Sequence, residues 1–401
     1  MRRRRVKITG VGPVTPVGIG WDAFSRGILE SKSRVGLVTR FDPAAGPFIA
    51  SEVKDFKFID HVPTNGAKRL ARHTQFAMAG TMLALKDAGI PPRLIENEGT
   101  IVMTGSALMD ADIVNRSIID VTKKGPRYAR PTLVTQALGS AIASGIAELL
   151  GGAVRAMTFQ SACCSGLDSI GFAADKIACG EADLAICGGT EAPIYYHPML
   201  ELKVAGLSPS HGDLAARQGR PFDLWRTTGI IGEGASMFVL EPESSPHPAR
   251  AYIEGFAYSN DPLGDLCGGM PAAIRLALAN AGVRPFEIDH INAWGPGHRE
   301  IDIAEYEALH EILGDRIHEI LTCSIKGAIG NPLAAAGAMQ VAAAVLSLQT
   351  GAIPPTVNWR ERDPACPVNV SATVRHAHVT HAMVNAHGVS GTNSCLILRQ
   401  A

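Results

Sequence analysis

The stretch Ser161–Asp168, which reads SACCSGLD, places a thiol where an extended run meets an amphipathic helix. Residues 156–159 before it favour a strand. After it, apolar residues recur at helical spacing: Leu167, Ile170, Ala174 and Ile177. A cysteine at a helix N-terminus feels the positive end of the helix dipole, which favours the nucleophilic thiolate. We therefore predict that Cys163 is a functional thiol, the alternative being a buried structural cysteine.

The same strand–turn–helix pattern recurs in the second half of the chain. A strand-like run at 320–323 leads through Lys326 and Asn331 into an apolar helix at 334–348. Further segments support a regular α/β arrangement, with strands at 99–104 and 288–294 and a helix at 74–87 that ends before Gly89.

This repetition predicts two matched halves, each a sheet with helices on both faces. The halves would meet where the loops that carry Cys163, Trp294 and Asn331 come together. The most turn-rich candidate for a boundary is 242–247. We predict an N-terminal half at 1–243 that carries Cys163, and a C-terminal half at 244–401 that carries Trp294, Asn331 and His387.

A series of short blocks runs along nearly the whole chain: Val6–Gly12 (VKITGVG) with Pro13–Gly18, the Cys163 stretch, Gly188–Ala192 (GGTEA), Arg220–Asp223 (RPFD), Gly232–Ala235 (GEGA), Ser324–Lys326 (SIK) and Gly391–Asn393 (GTN). In order and content it resembles the β-ketoacyl-acyl-carrier-protein (ACP) synthases of fatty-acid and type II polyketide assembly. The resemblance implies an α/β protein with the thiolase-like fold, a duplicated and layered αβαβα arrangement. It also implies that the cysteine takes an acyl chain from ACP as a thioester. Two histidines then help to decarboxylate malonyl-ACP, and the carbanion attacks the thioester.

The chain departs from this family at both histidines. The family's Asn-Ala-His block reads Asn-Ala-Trp here, so Trp294 stands at the first histidine. In the block that begins at Lys326, Asn331 stands at the second. Four more family residues are replaced: the two threonines that would contact the pantetheine arm by Pro296 and His298, and two phenylalanines, one of them resembling the gatekeeper, by His387 and Val389.

These replacements affect decarboxylation more than acyl transfer. Decarboxylation builds an enolate, whose oxyanion needs hydrogen-bond donors. Trp294 offers one indole N–H that exchanges no proton, and Asn331 can donate a hydrogen bond but cannot act as an acid or base. Losing one such donor costs about a hundred- to a thousand-fold in rate, so we expect very weak condensation by this chain alone. Acyl transfer to Cys163 needs only an oxyanion hole, which the backbone N–H groups of Cys163 and, by resemblance, Val389 would form.

Five further side chains are candidates for the site. His387 or His298 could be a relocated base, because imidazole titrates near neutral pH; the alternative is that each is an ordinary loop histidine. Glu233 and Lys326 match family residues near the active centre. Glu233 could orient loops, and Lys326 could pair with Glu305. We expect architectural roles for these charges, because a buried charge must be paired to be tolerated.

ACP is acidic, so its docking site should be basic. Residues 67–72 and 123–127 match family segments that carry such a patch. From them we predict Lys68, Arg69 and Arg127 as ACP contacts. The alternative is a solvated helix face and a solvated loop, because exposed lysine and arginine are common.

The composition of the chain argues against several classes of protein. The 401 residues are 46% hydrophobic with a net charge of −1, which gives no global case for nucleic-acid binding. The arginine run at 2–5 precedes a segment too polar for a signal peptide, and no stretch approaches 18 apolar residues. The eight cysteines show no Cys-x-x-Cys spacing, which argues against a zinc site or a disulfide framework. We expect a cytoplasmic protein without metal or cofactor.

Three functions remain open at this point. The first is a subunit that pairs with an active ketosynthase, similar to the chain-length factors that shape its acyl tunnel. The second is an acyltransferase that carries an acyl thioester on Cys163 without condensation. The third is a condensing enzyme with relocated donors, such as His387 with Asn331. The expected partners are ACP and either a second copy of the chain or a ketosynthase.

Overall fold

The computed structural model describes residues 3–42, 47–63, 70–92, 99–108, 110–151, 154–209 and 218–401. Its strands are β1 (Val6–Thr15), β2 (Gly18–Ile19), β3 (Val35–Leu37), β4 (Ile49–Ser51), β5 (Thr100–Gly105), β6 (Arg155–Phe159), β7 (Leu184–Glu191), β8 (Ile231–Gly232), β9 (Gly234–Pro242), β10 (Ala251–Asn260), β11 (His290–Asn292), β12 (Leu321–Cys323), β13 (Ala352–Ile353), β14 (Arg375–His376), β15 (His381–Gly388) and β16 (Thr392–Gln400). Its α-helices are α1 (Trp21–Leu29), α2 (Arg72–Ala88), α3 (Ala111–Lys124), α4 (Thr132–Gln136), α5 (Ser140–Leu149), α6 (Ser165–Ala178), α7 (Tyr196–Val204), α8 (Met270–Ala281), α9 (Arg299–Leu313), α10 (Lys326–Ile329) and α11 (Ala335–Thr350).

The main sheet shows the duplication directly. Its order is β12-β11-β15-β16-β10-β1-β9-β7-β5-β6, with β2 paired to β1. Outward from the central pair of β1 and β10, each side has two antiparallel pairings followed by two parallel ones. The halves at 1–243 and 244–401 remain our predicted division, and the chain passes from one side to the other between β9 and β10.

The strands from β1 to β6 in the sheet order form one set, and those from β10 to β12 form the other. Helices lie in layers on and between these two sets of strands. The central layer is α6 and α11, which pack against each other and against strands of both sets, with α2 and α5 outside one set and α8 outside the other. Nearly all of α11 is buried, and small residues allow its close approach to α6. At Gly337, an added Cβ would lie 2.8 Å from Leu167 Cβ. The predicted α/β layered fold is confirmed.

The local predictions hold, except that one strand is shorter than predicted. Helix α2 covers the segment predicted at 74–87 and ends just before Gly89, whose φ of 73° suits glycine. The strand predicted at 288–294 is shorter, because β11 ends at Asn292 and the chain then turns toward α9. The apolar face predicted for α6 is buried. No helix among the described residues has the length and apolar character needed to cross a membrane.

Candidate active site

Cys163 lies on a tight turn between β6 and α6. Residues Ala162–Cys164 form one 3-10 turn, and α6 begins at Ser165. Ala162 has a φ of 51°, a left-handed conformation that costs a non-glycine residue about 1–3 kcal/mol. Two hydrogen bonds secure the turn: Ser161 N donates to Ser165 Oγ (2.9 Å), and Thr392 Oγ1 donates to Ser161 O (3.0 Å).

The thiol is buried, and this decides its ionisation. Cys163 is only 3% exposed, and burial raises its pKa to about 12. The backbone N–H groups of Val389 and Cys163 and the charge of Lys326 act in the opposite direction, but they do not outweigh burial. The expectation of a favoured thiolate is therefore wrong, because desolvation exceeds the effect of the helix dipole. At neutral pH the group is a thiol that needs a base.

This burial predicts an unusual pH profile for Cys163 alkylation. An ordinary thiol has a pKa near 8.5, so its reaction with iodoacetamide levels off above about pH 9.5. For Cys163 we expect the rate to keep rising through pH 10, because the thiolate is still a minor species there. Peptide-resolved mass spectrometry measures this rate, and Cys179, which is exposed, is the internal control. A rate for Cys163 that stays level from pH 9 through pH 10 would contradict the assignment.

A small recess beside the cysteine brings together residues from distant parts of the chain. From the predicted set it is lined by Cys163, Trp294, Asn331, His387, His298 and Val389. The Val389 side chain, at one of the two replaced phenylalanine positions, is 65% exposed. The recess is thus lined by the predicted nucleophile, both replaced histidine positions and both candidate bases.

Two carboxylates on α9 hold the turn that carries Trp294. Glu305 accepts hydrogen bonds from Trp294 N and Gly295 N, both at 2.7 Å. Asp302 accepts one from Gly297 N at 3.0 Å. Burial raises the pKa of Glu305, and these N–H groups and the Lys326 charge oppose this shift. The backbone of the turn is therefore fixed by charge-assisted hydrogen bonds, whichever side chain stands at position 294.

The side chain of Trp294 is buried with an unused donor. Its Nε1 has no hydrogen-bond partner among the residues that the structure describes. The ring is covered by the Lys326 ammonium, whose Nζ lies 4.2 Å from the ring centroid. An indole so placed can offer a single N–H but takes part in no proton transfer.

Lys326 is paired differently from the expectation. Its Nζ donates to Gln340 Oε1 (3.0 Å), and Glu305 acts on it through its charge rather than through a hydrogen bond. Burial lowers the pKa of Lys326, and the charge of Glu305 opposes this shift. The predicted direct pair is thus replaced by a contact with an amide on α11.

Gln340 is a site residue that the sequence analysis missed. Its Nε2 donates to the carbonyl oxygens of Asn292 (2.9 Å), Ala293 (2.8 Å) and Asn385 (3.0 Å). It therefore ties the Trp294 turn to β15, the strand that carries His387. A signal was present, because Gln340 is a lone amide inside an otherwise apolar stretch of α11.

Asn331 is held by its backbone. Its N donates to Ile230 O (2.6 Å), and its O accepts from Gly232 N (2.9 Å). Its Oδ1 is buried and has no partner within the described part of the chain. The side chain supplies an amide to the recess but no group that titrates near neutral pH.

The two candidate bases differ in their surroundings. His387 lies near the end of β15, and its Nε2 is 3.0 Å from Asp261 Oδ2. Burial lowers the pKa of His298, and its Nδ1 is buried without a partner among the described residues. The contact between Asp261 and His387 was not predicted from the sequence.

The remaining predicted residues do not line the recess. Glu233 is buried in an ion pair with Arg72 (2.8 Å) and also accepts from Val53 N (3.0 Å). Arg127 is exposed on the turn after α3, over the ring of Tyr128. Two predicted ACP contacts, Lys68 and Arg69, lie outside the described residues.

One group of side chains could in principle bind a metal ion. His310, Asp315 and His318 offer ligand atoms within 4.8 Å of one another, at the end of α9 and the turn after it. None of them lines the recess around Cys163. The chemistry argued below uses none of these three residues.

Comparisons with known proteins agree with this geometry. The sequence models of the beta-ketoacyl synthase N-terminal and C-terminal domains match residues 3–245 and 256–360. A putative polyketide beta-ketoacyl synthase 1 of Streptomyces virginiae is 31% identical over 424 residues, which cover 100% of this chain and 99% of that protein. The solved structure of the ishigamide ketosynthase/chain length factor is similar, with a TM-score of 0.93, 30% identity and full coverage of both chains. A type II polyketide-synthase acyl-carrier protein in complex with its ketosynthase gives 0.90, 25% identity and full coverage of both chains. The chain therefore belongs to the β-ketoacyl synthase family of fatty-acid and type II polyketide assembly, and it has the thiolase-like fold of that family.

Proposed function

We propose that this chain is a non-condensing subunit that pairs with an active ketosynthase, in the manner of a chain-length factor. One observation carries the proposal: the recess holds Trp294 and Asn331 where the family has its two decarboxylating histidines. Neither side chain can act as an acid or base near neutral pH. A partner that retains both histidines would supply the condensing activity.

An exposed edge of the main sheet supports pairing with another subunit. Strand β6 is the last strand on its side of the sheet. Its first three residues are exposed, and the Met157 side chain is 50% exposed. A bare edge strand presents unpaired N–H and C=O groups that another chain can extend. The similarity to a ketosynthase/chain length factor supports a ketosynthase as the partner rather than a second copy.

ACP is the second partner in this proposal. The similar ACP–ketosynthase complex supports it, and Arg127 is an exposed cation available for an acidic partner. Nearby Lys124 is paired with Asp120 (2.8 Å), so it contributes less free charge than the sequence suggested. Lys68 and Arg69 stay in the proposal as predicted contacts. The cytoplasmic location predicted from the cysteine spacing fits this role.

Native mass spectrometry of the chain co-expressed with a type II ketosynthase tests the proposal. We expect a one-to-one complex, and Met157→Asp should weaken it at least about ten-fold, because it places a charge in a desolvated edge. Leu263→Asp is the matched control, since Leu263 is fully exposed on a loop. A stable homodimer that does not bind the co-expressed ketosynthase would contradict the proposed pairing.

A second candidate function is acyl transfer through Cys163. The observation that favours it is the retained thiol, with the backbone N–H groups of Val389 and Cys163 both acting on its sulfur. In this proposal the same two donors also stabilise the tetrahedral oxyanion. This activity is compatible with pairing, because a subunit can accept an acyl chain without condensing it.

A further inference from the structure

We propose that Asp261 is a positioning residue that fixes His387 as the general base of Cys163, so that the recess contains a Cys–His–Asp acyl-transfer site. The inference rests on the candidate acyl-transfer function above. It adds a residue to that site and an activity beyond the pairing role.

Four hydrogen-bond partners hold the carboxylate of Asp261 in place. Its Oδ2 lies 3.0 Å from His387 Nε2 and accepts from Cys267 N (3.1 Å). Its Oδ1 accepts from Asn393 Nδ2 (2.6 Å) and Gly269 N (3.0 Å). The carboxylate is thus held from several sides, and a group held in this way can hold its neighbour.

The ionisation of Asp261 selects one form of the histidine. Burial acts to raise the pKa of Asp261, but hydrogen bonds from Asn393, Gly269 and His387 outweigh it and keep the pKa below its ordinary value. An ionised carboxylate only accepts hydrogen bonds, so His387 Nε2 must carry the proton. In the neutral ring this leaves the lone pair on Nδ1, which is the atom that can act as a base.

The fold brings this histidine to the nucleophile. His387 and Cys163 both line the recess. At Gly388, the residue after His387, an added Cβ would lie 3.3 Å from Cys163 N, so the end of β15 packs against the nucleophile turn. Because burial keeps the thiol protonated at rest, transfer of its proton to a neighbouring base is required.

The reaction balances with these groups alone. His387 Nδ1 takes the thiol proton while the Cys163 sulfur forms a bond to the carbonyl carbon of the acyl-ACP thioester. The oxyanion accepts hydrogen bonds from the N–H groups of Cys163 and Val389. The intermediate then collapses, the carbon–sulfur bond to the pantetheine arm breaks, and Nδ1–H returns the proton to the leaving thiolate. Asp261 stays ionised throughout and touches no reacting atom.

The test compares the wild-type chain with Asp261→Asn in two reactions at pH 7. One is alkylation of Cys163 by iodoacetamide, followed by peptide-resolved mass spectrometry; the other is transfer from octanoyl-ACP, followed by intact mass. We expect Asp261→Asn to slow both at least about ten-fold, since positioned bases contribute about a hundred-fold or more. Asp265→Asn, the same change at an exposed residue of the same loop, should slow neither. Nitrogen NMR of the histidine rings should show the Nε2–H form of His387 in the wild type and a changed signal in Asp261→Asn.

The outcomes separate the two proposals. Suppose that alkylation depends on Asp261 but no octanoyl group is transferred. This result would support the role of Asp261 in positioning His387 as a base, and it would count against acyl transfer. Octanoyl transfer at the wild-type rate in a folded Asp261→Asn variant would overturn the positioning role of Asp261, whereas acyl transfer through Cys163 would still be supported. An Nδ1–H form of His387 in the wild-type protein would by itself overturn the proposed role of Asp261 and His387, even if the Asp261→Asn variant failed to fold.

Discussion

Replacing Trp294 and Asn331 together by histidine is expected to raise decarboxylation of malonyl-ACP by at least about a hundred-fold over the wild-type chain. The reason is local. Each imidazole adds an N–H donor and a titrating group where the enolate oxygen develops charge. Glu305 already accepts a hydrogen bond from the backbone N–H at position 294. The backbone that would carry the first histidine is therefore fixed, and the new imidazole would have a defined position. Conversion of malonyl-ACP to acetyl-ACP, followed by mass, measures the effect.

The matched control replaces the same two residues by leucine. This removes the indole and the amide and opens similar space, but it supplies neither donors nor acids. We expect no gain in the leucine variant. Equal gains in the histidine and leucine variants would mean that steric obstruction by Trp294, rather than missing chemistry, limits decarboxylation.

Replacing Glu305 by alanine is expected to lower the free energy of unfolding by about 3–5 kcal/mol. The carboxylate is fully buried, and its loss leaves two buried N–H donors, those of Trp294 and Gly295, without their acceptor. Each orphaned donor costs about 1–3 kcal/mol. The buried Lys326 also loses its opposing charge. Urea unfolding at a fixed protein concentration measures the change.

Glu307→Ala is the control for this prediction. Glu307 lies on the same helix but is exposed, so its loss should change the free energy of unfolding by less than about 0.5 kcal/mol. Equal stability of the Glu305→Ala and Glu307→Ala variants would show that Glu305 does not hold the turn.

The sequence was sufficient for the fold and for the polar side chains of the recess. Ordered blocks gave the family, and helical spacing after Cys163 gave the buried face of α6. The replaced histidine positions could be read from two aligned blocks. The structure then places both positions on the recess with the cysteine, as a duplicated fold should.

The sequence could not give the contacts that decide how the site behaves. His387 and Asp261 are 126 residues apart, and no local pattern links them. The acceptor for Lys326 proved to be Gln340, because the charge of Glu305 is already engaged with two backbone N–H groups. The thiol of Cys163 is neutral because it is buried, and residue spacing cannot show burial.

These contacts also explain how a subunit could keep a nucleophile after losing decarboxylation. The turn at 294–298 stays anchored by Asp302 and Glu305, so its shape does not depend on a histidine. The backbone donors around Cys163 come from elements outside that turn. Acyl transfer and condensation therefore depend on different side chains, and one can be lost without the other.

The most direct test is to incubate the purified wild-type chain, without any ketosynthase, with malonyl-ACP and octanoyl-ACP, and to follow the mass of the acyl groups on ACP. We predict that malonyl-ACP is neither decarboxylated nor extended above the rate without protein, because the recess lacks the two titrating donors. Formation of the extended β-ketoacyl-ACP at the rate of an intact ketosynthase would contradict the central claim and would show that this chain condenses with relocated donors.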